Sequence, residues 1–214
     1  MTSVPLRDRF SAAEVQQREA YICGKPPRLS IPLPEERTER QNALLEELGM
    51  VVVDGVRKPR EDRAALEILL RHPELYKAHM MVAQIYLSYG EMTVRDRELA
   101  ILRIAWLSQA PFEWGSHVKI AKRNGVTPEE IERLIQGSSA PGWNKQDRAI
   151  IRAMEELHFD SMIGDETWAD IQEFYNDKKQ IELVILAGQY KTVAYYQNVL
   201  RLPLPAGNLG LAAR

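Results

Sequence analysis

Apolar residues recur at helical spacing along most of the chain, and prolines, glycines and polar turn residues separate the apolar segments. A short apolar stretch at 50–53 suits an extended segment, and Asp54–Gly55 suits a turn. Alternating runs with hairpin signals do not recur, so we predict an all-α fold. The predicted helices cover about 12–20, 35–48, 63–70, 73–90, 94–107, 111–124, 128–136, 146–159, 165–175 and 179–200.

Five prolines in the first 34 residues interrupt any continuous helix and predict a proline-rich arm over 1–34 that lies on a neighbouring surface. The rest of the chain, 35–214, is predicted to be a single all-helical domain. Its clearest compositional break is S-S-A-P-G-W-N at 138–144, which separates halves at about 35–137 and 145–205. The halves echo each other weakly, because D-R-E-L-A-I-L-R in the first resembles Q-D-R-A-I-I-R-A in the second.

A histidine and two carboxylates stand in the otherwise apolar helix pair at 94–124, and they form the candidate reaction centre. Glu98 precedes a run that is apolar on nearly every side, so its helix should be buried. Glu113 and His117 are four residues apart on the next helix and therefore share a face. A buried carboxylate and an imidazole, which titrates near neutral pH, can form a proton-transfer unit.

Each of these residues also has a structural explanation. Glu113 falls in the first turn of its helix, where an acid satisfies backbone amides and the helix dipole. Glu98 and Arg103 can form an ion pair between packed helices, and a single histidine on a helix often serves packing alone. Spacing by itself leaves both explanations open.

Three motifs of this region resemble the carboxymuconolactone decarboxylase family, which includes the alkylhydroperoxidase D-like proteins. They are R-x-R-E-L-A-I-L-R, E-W-G-S-H-V-x-x-A and G-V-T-P-E-E-I, and the resemblance is strong over 73–134 and weaker over 146–205. It implies an alkylhydroperoxidase D-like helical bundle of two loosely repeated halves, assembled as a homo-oligomer, a trimer or a hexamer. In the peroxidase members a glutamate precedes C-x-x-C-x-x-x-H. Here Glu98 and His117 match that glutamate and histidine, whereas Ala110 and Glu113 replace the two cysteines, which excludes dithiol peroxidase chemistry.

The resemblance therefore implies a cofactor-free acid–base enzyme similar to 4-carboxymuconolactone decarboxylase, acting on a lactone or an enolisable carboxylic or carbonyl compound. His117 would donate or shuttle a proton, Glu98 would orient it, and Glu113 would be a second acid–base group. The residues expected to bind the substrate are Arg103, Trp106, Phe112, Trp114 and Tyr190. Two alternatives are a non-catalytic small-molecule-binding protein, and a metal-dependent lyase or hydrolase that uses Glu98, Glu113 and His117 as ligands.

The composition of the chain limits the classes of partner that we expect for it. The 214 residues are 45% hydrophobic and 27% charged, with a net charge of −2, so nucleic acid is not an expected partner. The N-terminus lacks the apolar core of a secretory signal, and no apolar run is long enough to cross a bilayer. The single Cys23 excludes an internal disulfide and a multi-cysteine metal site. We expect a cytoplasmic protein with a small-molecule substrate and no cofactor.

Overall fold

The computed structural model describes residues 10–53 and 56–214. In those ranges the chain forms ten α-helices and one two-stranded sheet, so the predicted all-α fold is confirmed. The helices are α1 (Ala12–Cys23), α2 (Glu39–Leu48), α3 (Arg63–Leu69), α4 (Pro73–Ser88), α5 (Val94–Leu107), α6 (Pro111–Arg123), α7 (Pro128–Gln136), α8 (Lys145–Asp160), α9 (Asp165–Gln172) and α10 (Asp177–Leu200). Short 3-10 turns lie at Pro34–Glu36 and Gly210–Ala212.

Side-chain caps set most of the helix starts. The predicted caps Thr93 and Thr127 each accept a hydrogen bond from a backbone N–H in the first turn of α5 and α7. The predicted helix 35–48 is wrong at its N-terminus, because Thr38 caps α2 through the N–H of Gln41. The other predicted helices differ from the observed ones by a few residues at their ends.

The extended segment predicted at 50–53 is confirmed as strand β1 (Met50–Val53). It pairs antiparallel with β2 (Val56–Pro59), and the sequence analysis did not predict this partner. All four side chains of β2 are exposed, so the strand has no apolar face that could have revealed it. The turn predicted at Asp54–Gly55 lies outside the described residues.

Helix α5 lies at the centre of the molecule and packs against α6, α8 and α10. Every residue of α5 from Asp96 to Leu107 is buried, as its nearly continuous apolar sequence predicts. The two helices that carry the sequence echo, α5 and α8, pack directly on each other. A buried ion pair reinforces that packing: Arg103 of α5 contacts Glu155 of α8 at 2.8 Å between Nη2 and Oε1.

The described part of the N-terminal arm, 10–34, packs on the chain's own surface. Helix α1 lies against α6, and the ring of Phe10 contacts Trp106 edge-on at 6.5 Å between centroids. Farther along the arm, the N–H of Arg28 donates to the carbonyl of Leu200 at 2.9 Å. Across residues 10–53 and 56–214, no helix has both the length and the apolarity needed to cross a membrane.

Candidate active site

A tight turn brings the two helices of the predicted centre together. Gln109 adopts a left-handed conformation with φ 47°, and Pro111 starts α6 immediately afterwards. The Gln109 side chain donates from Nε2 to the carbonyl of Trp106 at 2.9 Å, which stabilises the turn. Helix α6 therefore folds back along α5, and this reversal places Glu98 beside His117.

His117 lies between two carboxylates. Its Nδ1 is 2.6 Å from Oε2 of Glu98, and its Nε2 is 3.0 Å from Oε1 of Glu113. The second oxygen of Glu113 accepts a hydrogen bond of 2.7 Å from Nε2 of Gln197 on α10. The three side chains are largely buried, with 2% of Glu98, 5% of Glu113 and 13% of His117 exposed. The predicted residues thus converge into one continuous hydrogen-bonded unit.

The charges of this unit favour a protonated imidazole. Burial lowers the pKa of His117, but the negative charges of Glu98 and Glu113 outweigh that effect and raise the pKa to about 10. At neutral pH both ring nitrogens therefore carry protons, and each donates one to a carboxylate. The guanidinium of Arg97 lies 3.8 Å from Oε1 of Glu98 and adds a second positive charge behind the unit.

Glu113 and His117 line a cavity of about 330 Å³ between α3, α4, α6 and α10. Three tyrosines contribute to its wall, at positions 76, 190 and 196, and the Tyr190 ring meets the imidazole of His117 edge-on at 5.2 Å. Burial raises the pKa of Tyr76 to about 12, and it also raises the pKa values of Tyr190 and Tyr196. These hydroxyls therefore stay protonated at neutral pH and can donate hydrogen bonds to a bound molecule.

Of the predicted substrate-binding residues, Phe112 and Tyr190 line this cavity. The prediction is wrong for Arg103, which is fully buried and donates to Glu155 and to the carbonyls of Leu134 and Ile135. Its partner is therefore Glu155 and not Glu98, because α5 presents Arg103 toward α8 and not toward α6.

Trp106 and Trp114, which the sequence analysis predicts to bind the substrate, do not line the cavity either. The rings of Trp106 and Trp114 pack against each other in the core at 4.9 Å between centroids. Trp114 donates from Nε1 to the carbonyl of Ala213 at 3.0 Å, which fastens the C-terminal segment to α6. Both side chains are almost completely buried and do not line the cavity.

The geometry does not favour the metal-ligand hypothesis for this centre. In the described part of the chain, no three His, Cys, Asp or Glu side chains are grouped so that they could hold a metal ion. Both nitrogens of His117 point at carboxylate oxygens at hydrogen-bond distance. A metal ligand needs one of those nitrogens unprotonated and directed at the ion.

Several cavity residues were not predicted from the sequence as site residues. Gln197 stands seven residues after Tyr190, and this spacing places the two side chains on one face of α10. That periodicity could have revealed Gln197. His79 and Tyr196 also line the cavity, and their rings meet edge-on at 5.5 Å, but α4 and α10 are too far apart in sequence for spacing to relate them.

The central segment of the chain matches a known protein family. Residues 73–156 match the model of the carboxymuconolactone decarboxylase family. This segment belongs to that family. The carboxymuconolactone decarboxylase segment contains α5 and α6, and therefore contains Glu98, Glu113 and His117. Among curated protein sequences, no significant relative is found.

Solved structures share the fold at low identity. An uncharacterized peroxidase-related protein from Ralstonia eutropha JMP134, with an alkylhydroperoxidase AhpD core, is 14% identical, with a TM-score of 0.62 over 85% of this chain and 94% of that one. A peroxidase-related protein from Silicibacter sp. TM1040 is 17% identical, with a TM-score of 0.60 over 86% and 94%. A variant of the debrominase Bmp8 in complex with 2,3,4-tribromopyrrole is 11% identical, with a TM-score of 0.55 over 96% and 94%. These likenesses confirm the alkylhydroperoxidase D-like fold.

Proposed function

We propose that this protein is a cofactor-free enzyme that transfers protons to and from carbon in a small lactone or enolisable carbonyl compound. The observation that carries the proposal is the hydrogen-bonded pair of Glu113 and His117 in the wall of a tyrosine-lined cavity. A carboxylate that shares a proton with a buried imidazolium can accept a proton from carbon and return one. Membership of the carboxymuconolactone decarboxylase family favours the same chemistry.

The reacting carbon would lie next to Glu113, which lines the cavity. In a decarboxylation, loss of carbon dioxide leaves an electron pair that spreads into a conjugated carbonyl, and in an isomerisation Glu113 removes a proton from carbon instead. The oxygen that gains charge would be stabilised by tyrosine hydroxyls of the cavity, such as that of Tyr190. His117 would supply the proton that returns to carbon through Glu113, while Glu98 orients the imidazole from its other side.

The proposal is tested by measuring the turnover of 4-carboxymuconolactone and of α-angelica lactone through their ultraviolet absorbance. In α-angelica lactone a proton leaves the carbon next to the carbonyl and returns to the far carbon of the double bond, which gives the conjugated isomer without a co-reactant. We expect Glu113→Gln and His117→Gln to lose about two to four powers of ten in turnover. Tyr190→Phe tests the proposed role of the tyrosine hydroxyl in the cavity. Its matched control is Tyr195→Phe, because Tyr195 lies on the same helix with 58% of its surface exposed. Full activity of Glu113→Gln would contradict the proposal.

A second candidate is a non-catalytic binding protein for a small molecule of the same class. The observation that favours it is that both nitrogens of His117 are engaged by carboxylates in a closed hydrogen-bond set. Such a protein would bind saturated and unsaturated lactones alike and turn over neither. Calorimetric binding measured beside the ultraviolet assay separates the two candidates.

We also propose that the chain forms a homo-oligomer, a trimer or a hexamer. Apolar side chains of α4 and α10 are more than half exposed on neighbouring surfaces: Ile85 and Tyr89 on or at the end of α4, and Ile181 and Ile185 on α10. Covering such a patch with a second copy would remove apolar surface from water. Light scattering that gives the mass of a monomer would contradict this assembly.

A further inference from the structure

A second space lies directly beside the candidate active-site cavity. It is an open groove of about 320 Å³, which we call the outer groove, and its wall is mostly apolar. Its apolar side chains come from the arm, α3, α4 and the end of α10: Leu29, Ile68, Leu75 and Leu200. Leu29 is 41% exposed and Leu75 is 62% exposed, so the groove presents apolar surface to solvent.

The outer groove and the inner cavity share part of their walls. Leu69, Tyr76, His79 and Tyr196 line both spaces, so a single layer of side chains separates them. The His79 ring meets Tyr196 edge-on at 5.5 Å and lies 6.3 Å from the Tyr76 ring. A molecule with its reacting end at Glu113 and its other end in the groove would therefore have to pass only this layer of side chains.

The arm is held in place at the groove by specific bonds. The Arg71 guanidinium donates to the carbonyl of Ser30 at 3.0 and 3.1 Å and to the Ser30 hydroxyl at 2.9 Å. The N–H of Arg28 donates to the carbonyl of Leu200. These contacts lie on either side of Leu29 in the sequence and fix it at the edge of the groove. The fold of the chain therefore fixes the groove, and the arm forms part of its wall.

The two spaces differ in the chemistry that they can recognise. The inner cavity carries the charged groups, with Glu113 and His117 at one wall and the ion pair of Arg60 and Asp62 at another. The outer groove also has Arg71, His72 and Thr192 in its lining, but most of its wall is apolar, and an apolar ligand group that enters it loses contact with water. We propose that the outer groove binds an apolar tail of the substrate, so that the enzyme acts on elongated lactones or carbonyl compounds with an alkyl or aryl substituent.

This inference rests on the proposed function only in placing the reacting group at Glu113, and its test is a binding measurement. The probes are saturated γ-lactones from γ-valerolactone to γ-undecalactone, which cannot isomerise, titrated by calorimetry into the full chain. We expect Kd to fall about three- to fourfold for each added methylene until the groove is full.

Two variants locate the binding of the tail. Thr192 lines the groove on an exposed turn of α10, so Thr192→Trp fills the groove and should reduce the ratio of long-chain to short-chain affinity by at least about tenfold, with Thr192→Val as the matched control. Leu75→Asp places a charge in the groove at an exposed position and should reduce the same ratio. Leu209→Ser, at a position 66% exposed and outside the groove, should leave the ratio unchanged.

The outcomes separate this inference from the proposed function. A Kd that does not depend on tail length, or a ratio that stays the same in Thr192→Trp and Leu75→Asp, would overturn the tail site. Length-dependent binding without turnover of 4-carboxymuconolactone, of α-angelica lactone or of its long-chain homologues would support the tail site and contradict the catalytic proposal. Absence of binding for every saturated lactone would overturn the tail site, whereas the catalytic proposal would still be decided by the turnover assay.

Discussion

The proton held by His117 should make the stability of this protein depend on pH in a defined way. The pKa of His117 is raised in the folded chain from 6.5 to about 10, whereas the unfolded chain returns it to its ordinary value. A raised pKa means that the stabilisation is fully present below pH 6.5 and is lost as the pH rises through about 10. Between roughly pH 7.5 and 9.5 the folded state holds one more proton, so the free energy of unfolding should fall by about 1.4 kcal/mol per pH unit.

Urea unfolding followed by tryptophan fluorescence measures this slope, because Trp106 and Trp114 are buried in the core and become exposed on unfolding. In His117→Gln the slope should disappear, and the protein should be less stable at neutral pH by about 3 to 5 kcal/mol, since two buried carboxylates lose their cation. His72→Gln is the control, because it removes an exposed histidine at the start of α4 and should leave the slope unchanged.

A second readout does not depend on the folding of a variant. The ring resonances of His117 in the wild-type protein should report a protonated imidazole throughout the neutral range. A titration midpoint near 6.5, or the same stability slope in wild type and His117→Gln, would refute the assigned charge state.

Further predictions concern the surroundings of the site. Gly115→Ala should lower the free energy of unfolding by about 1 to 3 kcal/mol, despite the helix preference of alanine, because the added methyl overlaps Asn208; urea unfolding showing higher stability would contradict this. Arg103→Leu should destabilise the chain by about 3 to 5 kcal/mol in the same assay, since Glu155 loses its buried partner, and a loss below about 1 kcal/mol would contradict it. Cys23→Ser should leave lactone turnover unchanged, and a loss of turnover would show an unexpected thiol role.

Local signals in the sequence predicted the elements that depend on neighbouring residues. The caps and first-turn prolines of α5 to α7 act within one turn, so Thr93, Pro111 and Thr127 marked the starts of those helices. The spacing of Glu113 and His117 is equally local, and the structure brings these two residues within hydrogen-bond distance. Features that arise within a few residues were therefore predictable.

Contacts between distant segments were less predictable. The partner of Arg103 depends on which face of α5 meets α8, and composition gave no means to choose between Glu98 and Glu155. The family motif connected Glu98 with His117, whereas nothing in the spacing of α4 and α10 indicated that His79 and Tyr196 share a wall. The cavity is formed by helix packing, and its shape follows from the fold more than from any one segment.

Exchange of carbon-bound hydrogen with solvent tests the central claim most directly, because it detects proton transfer whether the natural reaction is a decarboxylation or an isomerisation. Wild-type protein in deuterium oxide should catalyse deuterium incorporation at the carbon next to the carbonyl of α-angelica lactone, followed by nuclear magnetic resonance. Glu113→Gln should reduce that rate by about two to four powers of ten. A wild-type rate no faster than buffer, or an equal rate in Glu113→Gln, would contradict the account.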